Sequence, residues 1–191
     1  LGIPAEPLFR SKYMRYFTTY LARTSYLLER GLPVVDVLWY VGDEVSHKPD
    51  QKMPFPQGYK YDYCNPDVLF NRLEVQEGRL VTPDGQAYEV LWVPGYKRLG
   101  QKSSQRILEL ISQGAKVLLT PEVSAESLQA LGLLPHIKAD ENLLWTHRKT
   151  TGAEWFYLAA PTGKDFHGTV KLKASGNAEI WDPVSGTVKL K

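Results

Sequence analysis

The run Val34-Val35-Asp36-Val37-Leu38-Trp39-Tyr40-Val41 constrains the fold more than any other stretch of this chain. It is β-branched, aromatic and almost continuously apolar, as a strand covered on both faces of a parallel sheet must be. It ends in Gly42-Asp43-Glu44, which sets two acids just past the strand's carboxyl end. Open α/β sheets bind their ligands in that crevice. The residues that follow, roughly 45–63, are rich in Pro, Lys and Tyr and carry no period. A loop that long inside a compact domain is commonly functional or mobile.

Other segments fit the same class. Tyr13, Phe17, Tyr20, Leu21, Thr24, Leu27 and Leu28 recur at helical spacing, which predicts a helix from about Ser11 to Arg30, stopped by Gly31. Its aromatic face implies a large neighbour or simple core packing. Asn65-Pro66 reads as a helix start, with Asn as N-cap and Pro at the first helical position. Glu77-Gly78 reads as a hairpin turn. Tyr88 to Pro94 is a second core strand, Ser103 or Ser104 is expected to cap a helix ending at Gly114, and 116–120 is a third strand. Strand and helix alternating in this order predict a small parallel sheet with flanking helices. Ser124 to Leu131 then reads as a short helix ended by Gly132. After Asp140 the pattern changes to short strands over 143–149, 154–160, 169–173, 178–181 and 187–190, parted by Gly-containing turns. This predicts an antiparallel β module. The expected division is 1–31 (lead-in and long helix), 32–139 (α/β domain) and 140–191 (β module).

Composition narrows the function. With 23 Lys+Arg against 21 Asp+Glu, the net charge of +2 leaves no electrostatic footprint for nucleic acid. No apolar run reaches the roughly 20 residues of a membrane helix. A single cysteine, Cys64, excludes an internal disulfide framework and a multi-cysteine zinc site. Cys64 precedes a helix start, but it lacks the strand-to-helix elbow of an activated nucleophile, so a buried, inert thiol is expected. His47, His136, His147 and His167 show no zinc-binding spacing. No glycine-rich phosphate loop occurs. The acids Asp43, Glu44, Asp62, Asp67 and Glu122 lie near strand ends or helix starts. Glycoside hydrolysis needs two carboxylates and calcium needs several oxygens, although loop acids are by default solvated. Trp39, Tyr40, Phe55, Tyr59, Tyr61 and Tyr63 are dense around the long loop and could either stack on sugar rings or pin the loop to the core.

Several blocks in order resemble one family. They are Y-L-A-R-T-S-Y-L-L-E-R-G (20–31), D-V-L-W-Y-V-G-D (36–43), G-Y-K-Y-D-Y-C-N-P-D-V-L-F-N-R-L (58–73) and G-R-L-V-T-P-D-G-Q-A-Y-E-V-L (78–91), followed by W-T-H-R-K-T-T-G-A-E-W-F-Y-L-A (145–159) and A-E-I-W-D-P-V-S-G (178–186). Together they cover most of the chain and are similar to bacterial glycoside hydrolases of the α-L-rhamnosidase kind, family 106 and its relatives.

The resemblance implies a longer parent enzyme: a catalytic (β/α) barrel, then a glutamine-amidotransferase-like α/β domain without its nucleophile, then β modules. This chain resembles the part after the barrel, and it is shorter than its relatives between Thr120 and Asp140. The implied partners are carbohydrate and the barrel of the parent chain, with neither nucleic acid nor membrane. Calcium is the one cofactor implied, with no ligands assigned, and export to the periplasm or beyond follows from the family's plant glycan substrates. By the same resemblance Asp43 and Glu44 are the candidate catalytic carboxylates, and His47, Tyr61, Asp62, Tyr63 and Asn65 are candidate sugar-facing or barrel-facing residues. The expected function is an accessory portion of a rhamnosidase-like hydrolase, incomplete in catalysis alone. The alternative is a non-catalytic carbohydrate-binding module using the aromatics between Tyr59 and Tyr63.

Overall fold

The structure is a computed structural model that describes residues 14–44 and 53–190. It divides into two compact units, one within Leu1–Gly31 and Ala174–Lys191, the other Leu32–Lys173.

The larger unit is built on a four-stranded parallel sheet. Its strands are β2 (Val37–Tyr40), β3 (Tyr61–Cys64), β7 (Val90–Trp92) and β8 (Val117–Leu118), in the spatial order β3-β2-β7-β8. All four residues of β2 are buried, as a continuous apolar run requires of a central strand. Alternation along the strands sends residues to two separate cores. Leu38 and Tyr40 of β2, with Leu91 of β7, join Leu69 of α2 (Pro66–Asn71) and Ile107 and Leu110 of α3 (Gln101–Ser112). Val37, Trp39, Val90 and Trp92 face the other way, onto Tyr59, Leu133 and Leu128 of α4 (Ala125–Ala130). The result is a three-layer α/β arrangement, with the chain crossing from β7 to β8 through α3.

Local chemistry accounts for the boundaries. The Asn65 side chain accepts from the Val68 amide at 3.0 Å, and Pro66 opens α2. The Ser124 side chain caps α4 in a reciprocal capping box with Ser127. Helix α3 differs from the sequence expectation: its N-cap is Gly100, so Ser103 lies inside the first turn and no capping side chain comes from the helix itself. Arg106 on α3 donates to the carbonyls of Leu69 (3.2 Å) and Leu73 (2.7 Å), satisfying free carbonyls at the end of α2.

Three antiparallel sheets complete this unit. The meander β4 (Glu74–Gln76), β5 (Arg79–Val81) and β6 (Ala87–Tyr88) turns at Glu77-Gly78, both at positive φ (52° and 75°), the geometry of a type I′ hairpin. Strand β1 (Leu32–Pro33) pairs with β10 (Leu144–Lys149), which pairs with β11 (Glu154–Ala159). Strand β9 (Ile137–Ala139), which sequence patterning does not reveal, pairs with β12 (Val170–Leu172). Of the strands after residue 140, β10 and β12 thus pair with segments that precede it.

The smaller unit holds α1 (Met14–Leu28) and the hairpin β13 (Glu179–Trp181) with β14 (Val188–Leu190). Arg23 of α1 donates to the carbonyls of Pro183 and Val184 at 3.1 and 2.9 Å. Tyr16, Phe17 and Tyr26 on α1, and Ile180 and Trp181 on β13, are exposed.

Candidate functional site

The order β3-β2-β7-β8 has a switch point. The chain leaves β2 for β3 on one side, and the sheet then continues to β7 and β8 on the other. Ligands of open α/β sheets bind outside the carboxyl ends of the strands at such a point. Asp43 lies there, three residues past β2.

Its carboxylate is already engaged. One oxygen, Oδ1, accepts from the Tyr40 hydroxyl and from the Ser103 hydroxyl, each at 2.5 Å. The other, Oδ2, accepts from the backbone amide of Gly100 at 2.6 Å. Asp43 therefore caps α3 from outside the helix, where a negative charge also suits the helix dipole. Burial alone would raise its pKa, but the Ser103, Tyr40 and Gly100 donors outweigh burial and hold it below the usual carboxylate range. Tyr40 moves the other way, because burial and the adjacent carboxylate both oppose its ionisation.

The remaining candidates separate. Glu44 is exposed beside Asp43, and His47 lies outside the described residues. Alternation along β3 puts Tyr61 and Tyr63 on one face and Asp62 on the other. Tyr61 and Tyr63 pack against Trp39, with ring centroids 5.4 and 5.1 Å away, and Trp39 packs on Trp92 at 4.7 Å. Burial, with Tyr63 beside it, pushes Tyr61 up to about 12. Asp62 accepts from the Tyr88 hydroxyl at 3.1 Å, and burial raises its pKa despite that bond. The Asn65 side chain is spent on capping α2. Trp39 and Tyr59 are buried, so their ring faces serve the core. Asp67 sits in the first turn of α2 and accepts from Asn71 at 2.8 Å. Cys64 is fully buried, and burial pushes its thiol up to about 12, the inert state expected for it.

Calcium fails a direct test at these residues. Among the described residues no three His, Cys, Asp or Glu side chains converge on a point where a metal ion could sit. Both Asp43 oxygens already accept hydrogen bonds.

At the opposite, amino-terminal end of the sheet the structure assembles a group that residue spacing does not reveal. Asp36, just before β2, receives the Lys60 amide on Oδ2 and faces His136 Nε2 at 2.5 Å through Oδ1. His136 Nδ1 meets His147 Nδ1 at 3.0 Å, and His147 Nε2 meets Glu154 at 3.0 Å. Both rings are buried. The three contacts link two carboxylates through two imidazoles, so that each ring nitrogen faces a polar partner. Burial, opposed by the Glu154 bond and reinforced by His136, keeps the His147 pKa below its ordinary value. The sequence held one clue: an Asp inside an otherwise apolar strand segment, where a buried acid needs a partner.

Comparison with known proteins decides the family. The family model for alpha-L-rhamnosidase, glycoside hydrolase family 106, matches residues 10–133, well over half of the chain. The chain belongs to that family. A solved structure of a rhamnosidase from Novosphingobium sp. PP1Y superposes with a TM-score of 0.75 at 19% identity, covering 92% of this chain and 22% of that one. A Formosa agariphila protein whose name provisionally assigns it beta-glucuronidase activity is 26% identical over an alignment 214 positions long that covers 91% of this chain and 18% of that protein. The chain thus spans about a fifth of the length of either relative. The mixed α/β fold with a parallel sheet is shared with the Novosphingobium structure. No helix of the described residues is long and apolar enough to cross a membrane.

Proposed function

We propose that this chain is the accessory, post-barrel portion of a larger rhamnosidase-family glycoside hydrolase acting on carbohydrate, and that it does not complete a catalytic site alone. The observation that carries this reading is the state of Asp43. At the crevice where an α/β sheet would hold a ligand, the protein's own carboxylate already carries three donors. In a double-displacement or inverting glycosidase both carboxylates must face the scissile bond. Asp43 is exposed like Glu44 beside it, but its oxygens are committed to Tyr40, Ser103 and Gly100, which leaves Glu44 as the carboxylate available to a sugar or to the barrel.

The exposed aromatic side chains of α1 support a large neighbour in the parent enzyme, the barrel in this reading. The amidotransferase-like label describes the same α/β body, here without any activated thiol at Cys64. Export of the parent enzyme is part of the proposal, since glycan substrates lie outside the cell.

The test is hydrolysis of a panel of aryl glycosides, α-L-rhamnoside included, with and without calcium. The folded chain alone is expected to be inactive. Turnover at enzyme-like rates that falls in both Asp43→Asn and Glu44→Gln would show a complete carboxylate pair and overturn the accessory reading.

A further inference from the structure

We propose that the cavity at the amino-terminal end of the parallel sheet is a binding site for a small oxyanion, either a free inorganic anion or the acidic group of a charged sugar. The cavity measures about 360 Å³, at the small end of the range for ligand pockets and enough for one sugar ring. It lies within the larger unit, away from Asp43.

The charges around it do not balance. Each acid of the wall already has a partner: Asp36 has His136 and the Lys60 amide, Glu154 has His147, and Glu89 has Arg79 at 2.8 Å. Lys116, Lys149 and Lys173 also line the cavity. Among the described residues none of the three is in an ion pair, and Lys116 gives one hydrogen bond to the Leu131 carbonyl at 2.9 Å. Three lysines from separate segments line one concave space whose acids already have partners. With Arg79 the lining holds four cationic side chains against three acids, and a concave wall of net positive charge concentrates anions. Lysine is a point charge with rotatable donors, suited to an oxyanion whose orientation is not fixed by a planar fork. Buried Asp36, His136 and His147, linked to the more exposed Glu154, line the same cavity, which a random cluster of surface lysines lacks.

The experiment is calorimetric titration of the intact chain with sodium sulfate, inorganic phosphate and sodium glucuronate, using glucose and methyl glucuronate ester as uncharged controls. Saturable binding of anions at roughly millimolar affinity, with no binding of the controls, is expected. The double variant Lys149→Gln/Lys173→Gln should weaken anion binding about tenfold or more, while Lys97→Gln/Lys102→Gln, on a different part of the surface, should not. All four lysines are exposed, so the unfolding midpoint should stay put and serve as the folding control.

Glucuronate bound more tightly than sulfate and phosphate would assign the site to an acidic sugar. Inorganic anions bound with glucuronate excluded would assign it to a free anion. Absence of saturable anion binding, binding of glucose equal to glucuronate, or equal losses in the two double variants would overturn the proposal. The inference does not require the accessory reading, since that reading is decided by turnover and this one by anion binding.

Discussion

Replacing Asp43 with Ala removes the acceptor shared by Tyr40, Ser103 and the Gly100 amide, and its cost can be worked from the geometry. Tyr40 and Ser103 are 1% and 3% exposed, so water cannot readily replace the lost carboxylate. A buried polar group left unsatisfied costs about 1–3 kcal/mol. Their oxygens lie 3.3 Å apart, so one hydroxyl can turn to the other and only one is left without an acceptor. The Gly100 amide is nearer solvent, and losing its cap adds about 0.5–1 kcal/mol. The expected loss is therefore about 2–4 kcal/mol, read as a lower urea midpoint at unchanged slope. Asp43→Asn keeps one carbonyl acceptor and should lose roughly half as much. Glu44→Ala, at an exposed position, should stay within about 0.5 kcal/mol of the parent chain. If Asp43→Ala also fell within that margin, the carboxylate would not be holding α3 to the sheet, and a role facing substrate would regain its place.

Other consequences can be checked in the same chain. Because the native pKa of His147 is depressed, the unfolded chain takes up a proton below about pH 6.5 that the native protein refuses. Stability should be complete above that pH and fall as pH drops toward the native value, by at most about 1.4 kcal/mol per pH unit, and His147→Gln should flatten this part of a stability–pH profile. Gly58 has φ of +83°, and a Cβ there would collide with the Ile137 carbonyl and approach Pro135 Cβ to 2.7 Å. Gly58→Ala should therefore cost about 2 kcal/mol or more in denaturant unfolding, since both the backbone conformation and the space are wrong. Glu77 occupies a positive-φ turn position that suits Asn, so Glu77→Asn should raise stability by about 0.5–1 kcal/mol, read as a higher unfolding midpoint. Cys64 should react with a thiol reagent only after unfolding, which a stopped-flow or timed labelling assay would show.

Elements were legible in the sequence wherever a local rule fixes them. The run ending at Val41 could only be a covered strand, and its four central residues are all buried. Asn65-Pro66 and Ser124 announced α2 and α4 because a cap acts within one helical turn. Glu77-Gly78 announced its hairpin because the turn's φ values select the residues. The start of α3 escaped this logic, since its cap is a carboxylate 57 residues away in sequence and not a neighbour along the helix.

The candidate site followed the same division. Sequence blocks marked Asp43 and the Tyr61-Asp62-Tyr63 segment, but alternation along β3, fixed by pairing with β2, turned the tyrosines and the aspartate to opposite faces. Asp36 and His136 are 100 residues apart, and no spacing rule joins them. Local propensity and hydrophobic period are written in adjacent residues, and so the sequence alone determined most strands and helices, though not β1 or β9, and that strands of the parallel sheet alternate with helices. Strand order, the engagement of Asp43 by α3 and the meeting of Asp36, His136 and His147 in the interior, with Glu154 at its edge, depend on which surfaces exclude water together. Only the tertiary structure decides that.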